Sequence, residues 1–152
     1  MITLKPQKGF TLVELLAVIV ILGIIAAIAV PAIGKIVQNS HDKAAKSEAI
    51  IALNAAQLYF LENDIQYVWE TASIPNLVKE GYMESKGYLN STSYVTNVIP
   101  ARICARAEGE TKVNFYDASA EDIVNSKNEI HVGNIECGEK GNRLVPPNKK
   151  GS

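Results

Sequence analysis

The sequence predicts an α+β protein: one long N-terminal α-helix followed by a C-terminal antiparallel β-sheet head of about three to four strands. Three observations predict it. No charged residue occurs from Leu15 through Gly34. From residue 35 to about Glu62 neither Pro nor Gly interrupts a helical pattern. Beyond Asn63, short β-branched segments alternate with Gly, Pro and Asn turns.

Residues 1–9 contain Lys5, Lys8 and Pro6 and no acid, and read as a basic leader peptide. Residues 10–34 are the apolar half of the helix, almost unbroken in apolar residues from Phe10 to Val30. As a helix, about 20 residues cover roughly 30 Å, the thickness of a bilayer's hydrocarbon core. Leu15 to Val30 alone holds eleven Leu, Ile and Val, which contribute about −3 to −7 kcal/mol toward insertion. Lys5 and Lys8 place the N-terminus on the cytoplasmic side.

Residues 35–62 continue the helix in amphipathic form. Ala45, Ala49, Ala52 and Ala56 share one helix face, which Tyr59 and Phe60 extend. Lys43, Lys46, Ser47 and Asn54 fall mostly elsewhere. Residues 63–145 are expected to be the head. Its first element is a short helix after Ser73, with Pro75 in the first turn and a stop at Gly81. Strands are expected over Tyr94–Ile99, Ile103–Ala107, Lys112–Tyr116 and Glu129–Ile135. Residues 146–152, with two prolines and two lysines, read as a disordered tail.

The charge balance, 15 Lys and Arg against 16 Asp and Glu, gives no basic signal for nucleic acid. Cys104 and Cys137 have no Cys-x-x-Cys spacing, and two thiols alone cannot complete a zinc site. Export of the head implies one disulfide between them rather than two buried thiols. His41 and His131 are isolated and read as solvated or core histidines. Asp117, Glu121 and Asp122 cluster but lack the alternating acids and glycine of a calcium loop, so a capped turn is expected. Asn90-Ser91-Thr92 is a formal glycosylation sequon. Arg143, Lys149 and Lys150 form too small a basic group to argue DNA contact. No catalytic constellation, metal site or cofactor motif is present in the sequence, and the chain is not expected to be an enzyme.

The segment Lys8-Gly9-Phe10-Thr11-Leu12-Val13-Glu14-Leu15-Leu16 resembles the class III signal of type IV pilins and pseudopilins. The matching residues are Gly9 before the scissile bond, Phe10 after it, and Glu14 at the fifth position of the product. Gly23 and Pro31 fall where that family places helix-loosening residues. The resemblance is strong over Lys8 to Pro31 and fair to about Gly81. It implies a pilin-like fold, cleavage between Gly9 and Phe10 by a prepilin peptidase, and N-methylation of Phe10. It also implies assembly through Glu14, which would face the N-terminal amine of a neighbouring copy. Residues 10–34 would serve as a transmembrane segment in the precursor and as filament core after assembly. The implied partners are other copies of the chain, the peptidase, an assembly ATPase and membrane platform proteins. The precursor would sit in the inner membrane and the product in an extracellular filament.

Thr11 and Glu14 also form a capping-box pattern, so a local role for Glu14 stands beside the assembly role. Pro31 is expected to kink the helix. Two further jobs are open within the resemblance: a type II secretion pseudopilin and a competence-type pilin for DNA uptake. Outside it stands an ordinary secretory signal, cleaved near Ala27-Ile28-Ala29, that would release a soluble binding domain.

Overall fold

Uninterrupted helix formers carry α1 from Leu12 to Glu62. The computed structural model describes residues 9, 11–133 and 137. The expected leader (apart from Gly9), Phe10 and the tail 146–152 lie outside the described residues. The chain divides into two compact units, Met1–Val37 and Gln38–Ser152.

In the first unit, α1 shows water an apolar surface on every side. Leu15, Ile19, Leu22, Ile25 and Ile33 are all more than half exposed. Pro31 lies inside the helix without ending it. Its ring nitrogen carries no proton for the Ala27 carbonyl, so one rung of the ladder is missing there.

In the second unit, α1 is amphipathic. Ala45, Ala49, Ala52 and Ala56 are fully buried, with Leu53 and Phe60 beside them. Side chains this small let a sheet approach the helix closely. The sheet has five strands in sequence order: β1 (Thr71–Ser73), β2 (Tyr94–Thr96), β3 (Arg102–Arg106), β4 (Asn114–Ala118) and β5 (His131–Gly133). Between β1 and β2 lies α2 (Ile74–Lys79), and between β4 and β5 lies α3 (Ala120–Asn125). Ile74, Leu77, Leu89, Val95, Ile103, Val113, Phe115 and Val132 join the alanine face of α1 in one core.

The α+β class and the long first helix are as expected, but the head differs in two respects. It has five strands rather than three or four. No strand was expected at β1, because three residues, Thr71-Ala72-Ser73, are too few to show alternation. It is nevertheless paired, with Ala72 opposite Val95. The last pair is also not antiparallel: β5 runs parallel to β4, because α3 returns the chain to the end where β4 began. The strand expected over Glu129–Ile135 is His131–Gly133 among the described residues, and residues 134–136 lie outside them.

β4 contains a bulge. Ile103 faces Ala118 and Ala105 faces Phe115, so Tyr116 and Asp117 together oppose Cys104. Asp117 takes the left-handed turn at φ 48°, a conformation that Asp tolerates better than most residues. Gly133 has a φ of 98° and lies against the Tyr116 carbonyl, where a Cβ would collide with backbone. Cys104 of β3 and Cys137 form a disulfide. It ties the chain beyond β5 back to the centre of the sheet.

Two side chains depart from the amphipathic reading of α1. Lys46 is buried, and its Nζ donates to the Lys127 carbonyl at 2.8 Å. Burial lowers its pKa, opposed by nearby Asp42 and Glu129. His41 is not isolated: Nδ1 is 2.7 Å from the Tyr88 hydroxyl and Nε2 is 2.9 Å from Glu110. Asp42 accepts from Thr111 Oγ1 at 3.0 Å and from the Lys112 amide at 3.3 Å. Gln38 donates to the Glu110 carbonyl at 2.7 Å. These contacts clasp the β3–β4 hairpin to α1.

Two outcomes are expected for the head. Replacing both cysteines with serine should lower its stability by about 3–4 kcal/mol, the chain-entropy value for a loop of this length, measured as a shift in denaturant midpoint. Phe115→Ala should cost about 3–5 kcal/mol by the same measurement, because it opens a cavity under the sheet.

Candidate functional site

The site expected from the sequence is the N-terminal end of α1. Thr11 lies just before the helix and would otherwise leave the first amides without acceptors. Glu14 folds back onto it: the Thr11 amide donates to Glu14 Oε2 at 2.8 Å and Thr11 Oγ1 donates to the same oxygen at 2.9 Å. The Glu14 amide donates to Thr11 Oγ1 at 3.3 Å. This is a reciprocal capping box, and the carboxylate also suits the positive end of the helix dipole. Glu14 is exposed, so its side chain is accessible while it caps.

The remaining expected site residues are spread along the same helix. Gly9 is exposed, with open space where a Cβ would stand. Its partner in the expected scissile bond, Phe10, lies outside the described residues. Gly23 also has open space around it, and helix continues through it and through Pro31. These residues share a segment rather than a pocket. The helix passes by length and composition for a membrane span.

Asp117, Glu121 and Asp122 take a different arrangement from a calcium loop. Asp122 and Ser119 form a second capping box, in which the Ser119 amide and hydroxyl donate to Asp122 Oδ2 at 2.9 and 2.7 Å. The Arg102 guanidinium lies 3.7 Å from Asp117 and 3.8 Å from Asp122, and it donates to the Asp117 carbonyl at 2.9 Å. A fixed cation therefore already stands between the two acids. Among the described residues no group of three His, Cys, Asp or Glu could hold a metal ion. Asn90 of the sequon is half-buried, and its Oδ1 accepts from Ser93 Oγ.

Sequence reasoning missed one surface feature. A cavity of about 460 Å3 lies between the end of α1 and the 97–101 turn, lined by Phe60, Leu61, Ile65 and Ile99 among others. Its walls come from segments far apart in the chain, so no local pattern announces it.

Residues 4–30 match the family described as prokaryotic N-terminal methylation motif. Among curated proteins, the chain is 31% identical over 90 residues to the type II secretion system core protein G of Escherichia coli (strain K12), covering 51% of this chain and 62% of that protein. It is 35% identical over 111 residues to the type IV major pilin protein PilE1 of Neisseria gonorrhoeae, covering 70% of this chain and 47% of that protein. It is 42% identical over 59 residues to a fimbrial protein of Pseudomonas aeruginosa, covering 39% of this chain and 38% of that protein. The chain thus spans less than two thirds of the length of each of these relatives. No solved structure matches it.

The two head carboxyls should respond oppositely to pH. Hydrogen bonds from Ser119 hold Asp122 below its ordinary pKa of 3.8. Its stabilising contribution is present above that value and is lost as pH falls through the depressed pKa. Burial raises the pKa of Asp117 above 3.8, and the nearby Arg102 opposes this only in part. The fold therefore favours its protonated form, and stability is eroded as pH rises through the raised pKa. Asp117→Asn should raise the thermal midpoint of the head at neutral pH, with the difference vanishing in acid. Ser119→Ala should cost about 1 kcal/mol at neutral pH, since it removes the cap of α3. Both are read from thermal unfolding followed at several pH values.

Proposed function

We propose, for a chain that belongs to the type IV pilin and pseudopilin family, that it is the precursor of a structural subunit of a type IV pilus-like surface filament. The observation that carries this reading is the junction of a short basic N-terminal segment, Glu14 and a charge-free helix. A prepilin peptidase would cut between Gly9 and Phe10. Cutting removes Lys5 and Lys8, and the new amine of Phe10 would be methylated. No catalytic role falls to this chain. The work of assembly would belong to an ATPase and membrane platform proteins.

The physics of Glu14 supports this order of events. Cleavage creates an ammonium group at Phe10, at the edge of an apolar helix. Either that charge or the Glu14 carboxylate is costly alone in an apolar bundle, whereas the two together are tolerated. In the single chain Glu14 Oε2 has the Thr11 amide and hydroxyl as partners, so part of the carboxylate is already hydrogen-bonded while the chain waits in lipid. In a filament it would turn to the amine of a neighbouring copy, and a copy in the wrong register would leave both charges unpaired. Burial of the apolar helix would contribute on the order of tens of kcal/mol gross, before ordering costs. The precursor would be held in the inner membrane with its N-terminus cytoplasmic, and the head would lie outside.

A second reading, a major pseudopilin of a type II secretion system, rests on the similarity to protein G of Escherichia coli (strain K12). Electron microscopy of sheared surface filaments, with peptide identification, separates the two. Long surface filaments containing this chain support the pilus. Their absence, together with a secretion defect on deletion, supports the pseudopilin.

Three outcomes are expected. Mass analysis of the mature product should give an N-terminus at Phe10 with one added methyl; an N-terminus near Val30 would instead indicate an ordinary secretory signal. Glu14→Gln, which keeps a capping oxygen but loses the charge, should give processed, membrane-held subunits that polymerise poorly. Normal piliation in that variant would remove the charge-pairing role. A filament map should show loss of helix between about Gly23 and Pro31, and continuous helix there would refute the loosening.

A further inference from the structure

The segment between α1 and β1 holds three large apolar side chains in water: Tyr67 is 80% exposed, Val68 62% and Trp69 43%. Beside it lies the cavity of about 460 Å3, whose walls include Leu61, Ile65, Asn97 and Ile99. Trp69 is also strained. The Glu70 amide donates to the Tyr67 carbonyl at 3.3 Å, which closes a four-residue turn. Trp69, the third residue of that turn, has a φ of 80°. Positive φ at this position marks a type II turn, which favours Gly or Asn there. A bulky side chain in that region is an outlier. Such strain persists only where surrounding contacts hold it.

The holding contacts converge on Asn97. Its carbonyl accepts from the Trp69 amide at 3.1 Å, and its amide donates to the Glu70 carbonyl at 2.7 Å. Its Nδ2 donates to the Ile65 carbonyl at 2.9 Å and to the Tyr67 carbonyl at 3.2 Å. One residue is therefore both the clamp of the turn and part of the cavity wall. Turning over the peptide between Val68 and Trp69 converts a type II turn to type I, which needs no positive φ. The flip breaks the bond from the Trp69 amide to the Asn97 carbonyl, because that amide belongs to the peptide that turns.

We propose that residues 67–70 are a lid with an open and a closed state, clamped open by Asn97, and that Trp69 is what closes the cavity. In the open state the turn is strained and the cavity faces water. In the closed state the peptide between Val68 and Trp69 has flipped, and the indole lies in the cavity against Leu61 and Ile99. Closing relieves the strain at Trp69 and removes a large apolar ring from water. The ring is tethered next to a wall residue, so it loses none of the translational freedom that an outside ligand would lose. The cavity leaves room for an indole. The lid thereby decides whether this end of the head shows an apolar surface or hides it. It does not depend on the polymer reading above.

Trp69 is the single tryptophan of the chain, so tryptophan emission reports on the lid alone. The test uses the full chain in lipid vesicles and follows emission wavelength, lifetimes and quenching by acrylamide. The unmodified chain should show a major component that acrylamide quenches readily and a minor one, the closed state, quenched roughly twofold less. Asn97→Ala removes the two side-chain bonds of the clamp. It should make the protected component the major one and move emission to shorter wavelength. Adding Leu61→Ser and Ile99→Ser, at two exposed positions of the wall, should reverse that shift by making the cavity polar. A single, freely quenched component in the unmodified chain overturns the lid. Unchanged or greater quenching in Asn97→Ala overturns it too. Protection that survives the two serines overturns the cavity as the place where the ring goes.

Discussion

The structure depends on an apolar surface that water does not tolerate. Between Leu15 and Gly34 the helix has no charge and no polar side chain, and its large residues are exposed on every side. The head has a core of its own, built from the second half of α1 and the sheet. The surface has two physical solutions: hydrocarbon lipid, or a bundle of similar helices. A chain that uses both in turn needs a means of leaving the first for the second, and the features clustered at Gly9, Phe10 and Glu14 fit that need. The cap formed by Thr11 and Glu14 gives the start of the helix its hydrogen-bond partners.

The second half of α1 obeys a different constraint. Its alanine face is made of side chains too small to provide much apolar area, but they permit close approach. Larger residues on the sheet, Phe115, Ile103, Val95 and Leu89, supply the volume. Polar contacts then set where the sheet sits on the helix. The clasp around Gln38, His41 and Asp42 holds one hairpin, and buried Lys46 holds the segment after α3 through the Lys127 carbonyl. A buried lysine costs desolvation, so its value here is positional more than energetic.

The long helix and its alanine face could be read in the sequence because periodicity over tens of residues is a strong signal. The Thr11–Glu14 box was legible because capping is local chemistry. α2 was legible for the same reason, since Pro75 and Gly81 mark its ends. The head's topology was much less so. β1 is three residues long, and its identity depends on its partner rather than on its own composition. The parallel pairing of β5 depends on α3, which the sequence showed only as a capped turn around Asp117, Glu121 and Asp122. The burial of Lys46 could not be read from its type, because lysine on an amphipathic helix normally faces water. The 460 Å3 cavity required the tertiary arrangement of residues 57–66 and 97–101.

Hydrophobic association alone is a poor ruler. It is non-directional and scales with area, so two helices rich in Leu, Ile, Val and Ala bury similar areas at many offsets. A polymer built only on such contacts would have no preferred rise. Polar groups at isolated positions supply what area cannot, because a misplaced polar group loses its partner and the penalty is sharp in distance. α1 carries Glu14 immediately before its charge-free stretch. In a helix otherwise given over to apolar contact, such a polar position is the physical means by which identical copies would agree on a single spacing.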